Sequence, residues 1–178
     1  KPFNDAVMKI AERAAVKDVI LDARWAKNAY GRARGEGDWR VFPYDEPGEG
    51  IDRASTEAVF YRGLERTVRK LTEAGKHVVI VASIPEAGYS VPRMMAHMRM
   101  NGDKRQLTRS LATFLAHQKF IFATMDRMKK RYGAKILYPH EVLCSTGACE
   151  LSLNDRPLYR DEHHLSVFGA MQLIPLIS

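Results

Sequence analysis

Residues 77–84 read His-Val-Val-Ile-Val-Ala-Ser-Ile, and Pro85 follows at once. A β-branched block without alternating polar residues suits a strand buried on both faces of a parallel sheet, and Pro85 ends it. Upstream, Phe60, Leu64, Val68 and Leu71 recur at helical spacing before the stop signal Gly75, with Asp52 as the cap. On the other side, residues 85–92 read as a loop. Leu107, Leu111, Leu115, Phe122, Met125 and Met128 then predict a helix from about Lys104 to Arg131, ended by Gly133. The methionines at that spacing read as core filler. Lys135 to Tyr138 reads as a further strand, and Ser166 as the cap of a final helix.

Near the start, Phe3, Val7, Ile10, Ala11 and Ala14 predict a helix with Asn4 as N-cap and a Phe3–Met8 staple. Val16 to Ala23 reads as a short buried strand. Residues 26–51, rich in Gly and holding Pro43 and Pro47, read as a long surface loop. Strands alternating with helices of crossover length predict an α/β fold with a parallel sheet covered on both faces. Ligand chemistry in such sheets gathers beyond the carboxyl ends of the strands, here after Ala23, Ile84 and Tyr138.

The 178 residues suit one domain spanning 1–178, and 46% hydrophobic composition argues against disorder. No apolar run reaches the ~18 residues needed to cross a bilayer, and no signal-peptide pattern opens the chain. The 28 Lys and Arg exceed the 21 Asp and Glu by 7, but they are scattered. Their tightest cluster, Lys129, Lys130 and Arg131, falls at the end of a helix, where cations complement the dipole. Nucleic acid is therefore not an expected partner; an anionic lipid or polysaccharide surface suits the charge better.

Asp161 stands three residues before His164 in Tyr159-Arg160-Asp161-Glu162-His163-His164-Leu165-Ser166. In a tight turn opening a helix, that spacing can set a carboxylate against one imidazole nitrogen. The tautomer is then fixed, and the other nitrogen can serve as a general base. Spacing alone favours a plainer reading, in which the two residues merely cap the last helix or His164 is a satisfied core residue. Asp161, His163, His164 and His140 are of metal-ligand type, but adjacent histidines are expected to diverge and no metal is expected. His77, His97 and His117 read as ordinary helix or strand-edge residues, and Glu162 and His163 as solvated neighbours.

The run LYRDEHHLSVFGA at 158–170 resembles the C-terminal block of SGNH (GDSL-like) esterases and acyltransferases. The likeness is greatest to SGNH domains fused behind membrane-spanning bacterial O-acyltransferases that decorate cell-surface polysaccharides. VILDARWA at 19–26, VVIVASIPEAGYSVP at 78–92 and PHEVLCSTGACE at 139–150 match that subgroup in order. The resemblance implies a three-layer α/β/α flavodoxin-like fold, ester chemistry at a Ser-His-Asp triad, and a periplasmic setting at the inner membrane. It implies no resident cofactor or metal. It also implies a membrane acyltransferase module in the same polypeptide, relaying an acyl group from acetyl-CoA. Position by position, His164 matches the family base and Asp161 its orienting carboxylate.

The nucleophile block is where the sequence departs from the family. The chain has no Gly-Asp-Ser: Gly37-Asp38 is followed by Trp39, and Gly102-Asp103 by Lys104. The Gly-x-Asn-Asp block is absent as well. The expectation is that the first strand and its serine precede Lys1, leaving this stretch inactive by itself. Ser83 lies at the correct sheet edge, but matches a different family segment. Arg24 and Trp25 stand at the corresponding strand end, where Arg24 could donate to an oxyanion or hold an acidic group. They could equally be a surface cation and a packed aromatic.

Cys144 and Cys149 enclose four residues, which leaves two free thiols or a small disulfide loop; the extracytoplasmic setting implied by the resemblance favours the disulfide. Tyr30, Trp39, Phe42 and Tyr44 could stack on sugar rings or simply pin the 26–51 loop. The expected function is transfer of an acyl group, acetyl by expectation, to a carbohydrate hydroxyl. A carbohydrate esterase would use the same parts, and a carbohydrate-binding module would need no nucleophile.

Overall fold

The computed structural model describes residues 2–30 and 53–177. In chain order the elements are α1 (Pro2–Ala11), β1 (Asp18–Asp22), α2 (Trp25–Tyr30), α3 (Arg53–Glu73), β2 (His77–Val81), α4 (Val91–Met100), β3 (Thr108–Ser110) and α5 (Leu111–Tyr132). They continue with β4 (Lys135–Leu137), α6 (His140–Leu143), β5 (Ala148–Glu150), β6 (Ser152–Leu153), β7 (Arg156–Pro157) and α7 (Val167–Met171), then a 3-10 turn (Ile174–Leu176). No helix among the described residues is long and apolar enough to cross a membrane. The chain sorts into two compact units: Lys1–Ala82 with Phe120–Leu137, and Ser83–Lys119 with Tyr138–Ser178.

The first unit holds the expected parallel sheet, in the order β1-β2-β4, with Val19 opposite Val78 and Ile80 opposite Ile136. Val78 and Ile80 of β2 are buried, as are Phe60, Leu64, Val68 and Leu71 of α3. Gly75, at φ 72°, lets the chain leave α3, and the Lys76 N–H closes onto Leu71 O. Lys76 is itself buried, and its ammonium donates to Arg13 O and Val16 O at 2.8 and 2.9 Å. Those bonds satisfy carbonyls just past the end of α1.

Several expectations shift. The strand expected over Val16 to Ala23 is five residues long and lies at an edge of the described sheet, with Ile20 66% exposed. Asn4 lies inside α1 rather than capping it, and Asp52 falls outside the described residues. The long helix begins at Leu111, because residues 108–110 leave to pair as β3. Its buried stripe is Phe114, Gln118, Ile121, Met125 and Met128, spaced four, three, four, three; Leu115 is exposed. Pro92 sits in the first turn of the unforeseen helix α4, where its missing N–H costs nothing.

The second unit is built from short pieces. β3 pairs antiparallel with β5, and β6 with β7 through Asn154 and Asp155 at φ 49° and 58°. Both positive φ values fit the two-residue hairpin turn that Asn and Asp tolerate. A small core gathers Val91, Leu143, Leu151, Leu158 and Tyr159, with Tyr89, Leu165 and Phe168 packed against it.

Candidate active site

The chain around His164 is shaped by its own backbone. Tyr159 and Leu165 form an isolated bridge, Arg160 N–H donates to His164 O, and Ser166 N–H donates to Leu158 O. The Ser166 hydroxyl donates to Pro157 O at 2.8 Å and accepts from Gly169 N–H at 3.0 Å, making it the expected cap of α7. Within this closed loop, Asp161 Oδ1 accepts the N–H groups of His163 and His164 at 2.9 and 2.8 Å. Its other oxygen, Oδ2, lies 2.8 Å from His164 Nδ1.

That pairing fixes the chemistry. The ionised carboxylate can only accept, so Nδ1 carries the proton and Nε2 remains the basic nitrogen. The ring is half-exposed, with 51% of its side chain accessible. Burial pushes the Asp161 carboxyl up, but the two backbone N–H bonds, the ring bond and the imidazole charge outweigh it. The net effect holds Asp161 well below the ordinary carboxylate range.

Two latches hold the loop. Glu162 O accepts both Ala87 N–H and Gly88 N–H, at 2.9 and 3.1 Å. Fully buried Tyr159 donates its hydroxyl to Pro85 O, and burial raises its phenol far above the usual value. The segment after β2 is therefore tied directly to the His164 loop. Nothing in the sequence announces these latches, since both join residues 74 or more positions apart.

The two adjacent histidines do not diverge as expected. The Asp161 carboxylate gathers both their N–H groups and curls the backbone, so the rings of His163 and His164 tilt together with centroids 4.2 Å apart. Ligand atoms of Asp161, His163 and His164 all lie within 4.8 Å of one another, so this trio could accept an ion. His140 is outside that trio; its ring packs against Phe114 and Tyr138, and burial lowers its pKa.

Trp25 is buried against Phe60, and its indole N–H donates to Val81 O at 2.7 Å, which occupies its one donor in packing. Arg24 is half-buried at the end of β1. The Ser83 hydroxyl is buried, without a hydrogen-bond partner among the described residues, and so is poorly placed for attack. Tyr30, expected in a loop, belongs to α2 and packs on Phe120; Trp39, Phe42 and Tyr44 lie outside the described residues. Cys144 and Cys149 are joined in a disulfide, across a turn closed by Ser145 N–H to Ala148 O.

A parallel α/β sheet, and a His–Asp pair held in the loop before the last helix, are features of the SGNH class of esterases and acyltransferases. The family profile of the SGNH domain fused to AT3 domains matches residues 1–178, and the chain belongs to that family. Its fold is similar to the structure of a Salmonella ser. Paratyphi A lipopolysaccharide acetyltransferase periplasmic domain, with a TM-score of 0.67 and 15% identity. That match covers 99% of this chain and 60% of the other, so the chain spans about three-fifths of its neighbour's length. No curated protein matches the chain.

Proposed function

We propose that this domain transfers an acyl group, most simply acetyl, to a hydroxyl of a bacterial surface carbohydrate. The observation that carries this reading is the 2.8 Å contact of His164 Nδ1 with Asp161 Oδ2, on a half-exposed ring whose Nε2 is left basic. The nucleophile is a serine outside this chain, carried by the polypeptide ahead of Lys1. In the first half-reaction its hydroxyl attacks the acyl carbonyl while Nε2 takes the proton, which then passes to the leaving group. In the second, Nε2 takes the proton of the sugar hydroxyl as that oxygen attacks the acyl-serine, and the serine regains a proton as it leaves. Asp161 holds the tautomer and stabilises the imidazolium between the two steps.

Membership of a family whose SGNH domain is fused to AT3 domains supports acyl delivery by a membrane module of the same polypeptide; acetyl-CoA is our proposed source of the acyl group. That membership also supports a periplasmic position, as does the likeness in fold to a periplasmic domain. No resident metal or cofactor is needed for these steps. In the full-length protein, His164→Ala lowers hydrolysis of p-nitrophenyl acetate by roughly two to four orders of magnitude, with the fold kept by circular dichroism. Undiminished hydrolysis by a folded variant removes His164 from the mechanism.

A further inference from the structure

The second unit contains a groove of about 420 Å³ between α4 and the strand-forming segment that follows it. That volume lies in the ~300–1,000 Å³ range of small-ligand clefts. Met98 and Leu107 supply apolar surface, while His97, Asn101, Asp103 and Gln106 supply polar groups. The polar wall is ordered by its own contacts. Arg105 grips Asp103 through Nε and Nη2, the Nη2 contact at 2.6 Å, and its backbone N–H bonds the same carboxylate. Asp103 is held at about 2 by those bonds to Arg105. Asn101 Nδ2 donates to His97 O at 3.0 Å and lies 3.2 Å from the His97 ring. Gln106 Nε2 donates to Glu150 Oε2 at 2.6 Å, which leaves its amide oxygen as an acceptor.

Tyr89 also lines the groove, with the Arg109 guanidinium 5.9 Å from its ring centroid. Tyr89 follows directly on Gly88, whose N–H is bonded to Glu162 O, two residues before His164. Gly88 sits at φ 75°, and a Cβ there would lie 2.6 Å from Arg109 Nη2. One turn thus carries a groove wall on one side and a latch to the His164 loop on the other. Planar amide and carboxylate groups beside apolar surface and an aromatic ring match a sugar, which has C–H faces and a rim of hydroxyls.

We propose that this groove is a subsite for a pyranose ring of the acceptor glycan, holding the chain beside His164 during transfer; this rests on the acyl-transfer reading above. Because the wall is already fixed by internal bonds, little side-chain entropy is lost on binding. The test uses the full-length protein and O-deacetylated oligosaccharides prepared from the surface polysaccharide of its own host cell. Binding is read by saturation-transfer difference NMR, and catalysis by the acceptor KM. Asn101 and Gln106 are exposed, so Asn101→Ala with Gln106→Ala keeps the fold. The double variant weakens sugar binding and raises the acceptor KM about tenfold or more, while p-nitrophenyl acetate hydrolysis, which needs no sugar, stays within about twofold. Unchanged sugar binding in the variant, no sugar signal with the parent, or an equal fall in both activities overturns the subsite. Failure of the acyl-transfer reading shows separately, as p-nitrophenyl acetate hydrolysis that ignores His164→Ala.

Discussion

The two compact units are held by different means. In the first, the 21-residue helix α3 and residues 120–132 of α5 accompany a parallel sheet, and apolar side chains such as Val68, Ile80, Met125 and Met128 are fully enclosed. In the second, strands are two or three residues long, and the shape depends on particular bonds. These include Tyr159 to Pro85, Ala87 and Gly88 to Glu162, Ser166 to Pro157, and the Cys144–Cys149 disulfide. Burial is roughly proportional to area and tolerant of small shifts, whereas hydrogen bonds are directional. The His164–Asp161 pair belongs to the second unit, where directional contacts set its geometry.

The largest stability effect should come from breaking the burial rule. Ile80→Ala removes fully enclosed methylenes from β2 and costs about 4 kcal/mol in urea denaturation followed by tryptophan fluorescence. Ile20→Ala, on the neighbouring strand β1 but 66% exposed, costs less than about 0.5 kcal/mol. Equal costs would mean that burial does not govern this unit. Gly169→Ala tests the second unit with the opposite logic. Helix propensity favours alanine by about 1 kcal/mol at an interior position. Here, however, its Cβ would run into Leu158 O, a backbone atom that cannot swing aside. The expected result is a loss of about 3 kcal/mol, read as faster amide exchange across residues 158–170. A neutral or stabilising outcome would show that α7 is free to shift.

The same contrast explains what the sequence discloses. The α3 stripe, β2 and β4 are legible because apolar periodicity is local, and Gly75 and Gly133 punctuate them. β3 hides at the head of a helical pattern because its partner, Glu150 to Ala148, lies about 40 residues away and leaves no periodic mark. The half-open face of β1 is equally silent, since Val19-Ile20-Leu21 reads the same whether one face or both are covered. Asp161 and His164 are legible through their three-residue spacing and the surrounding block. Tyr89 and Arg109 are not, because their link to that block runs through backbone bonds from Ala87 and Gly88, which have no residue-type signature.

The smallest effect concerns pH, and it separates a structural latch from a titrating one. Asp161 is held below its ordinary value of 3.8, so it binds fewer protons folded than unfolded around that pH. Its contribution is therefore fully present above the unfolded value and is lost as pH falls through the lower folded value. Much of the carboxylate is open to solvent, with 37% of the side chain exposed, so the ion-pair part is worth no more than about 1 kcal/mol. Asp161→Asn can retain an oxygen acceptor for the backbone N–H groups but loses the charge beside His164. The stability gap between parent and variant should narrow as pH falls below about pH 4 and the parent carboxylate protonates. A gap that widens below about pH 4 would reverse the sign and place the stabilising charge elsewhere. A gap absent at every pH would mean that the Asp161→Asn variant keeps all that matters to this loop's stability, leaving the carboxylate charge to act on His164 alone.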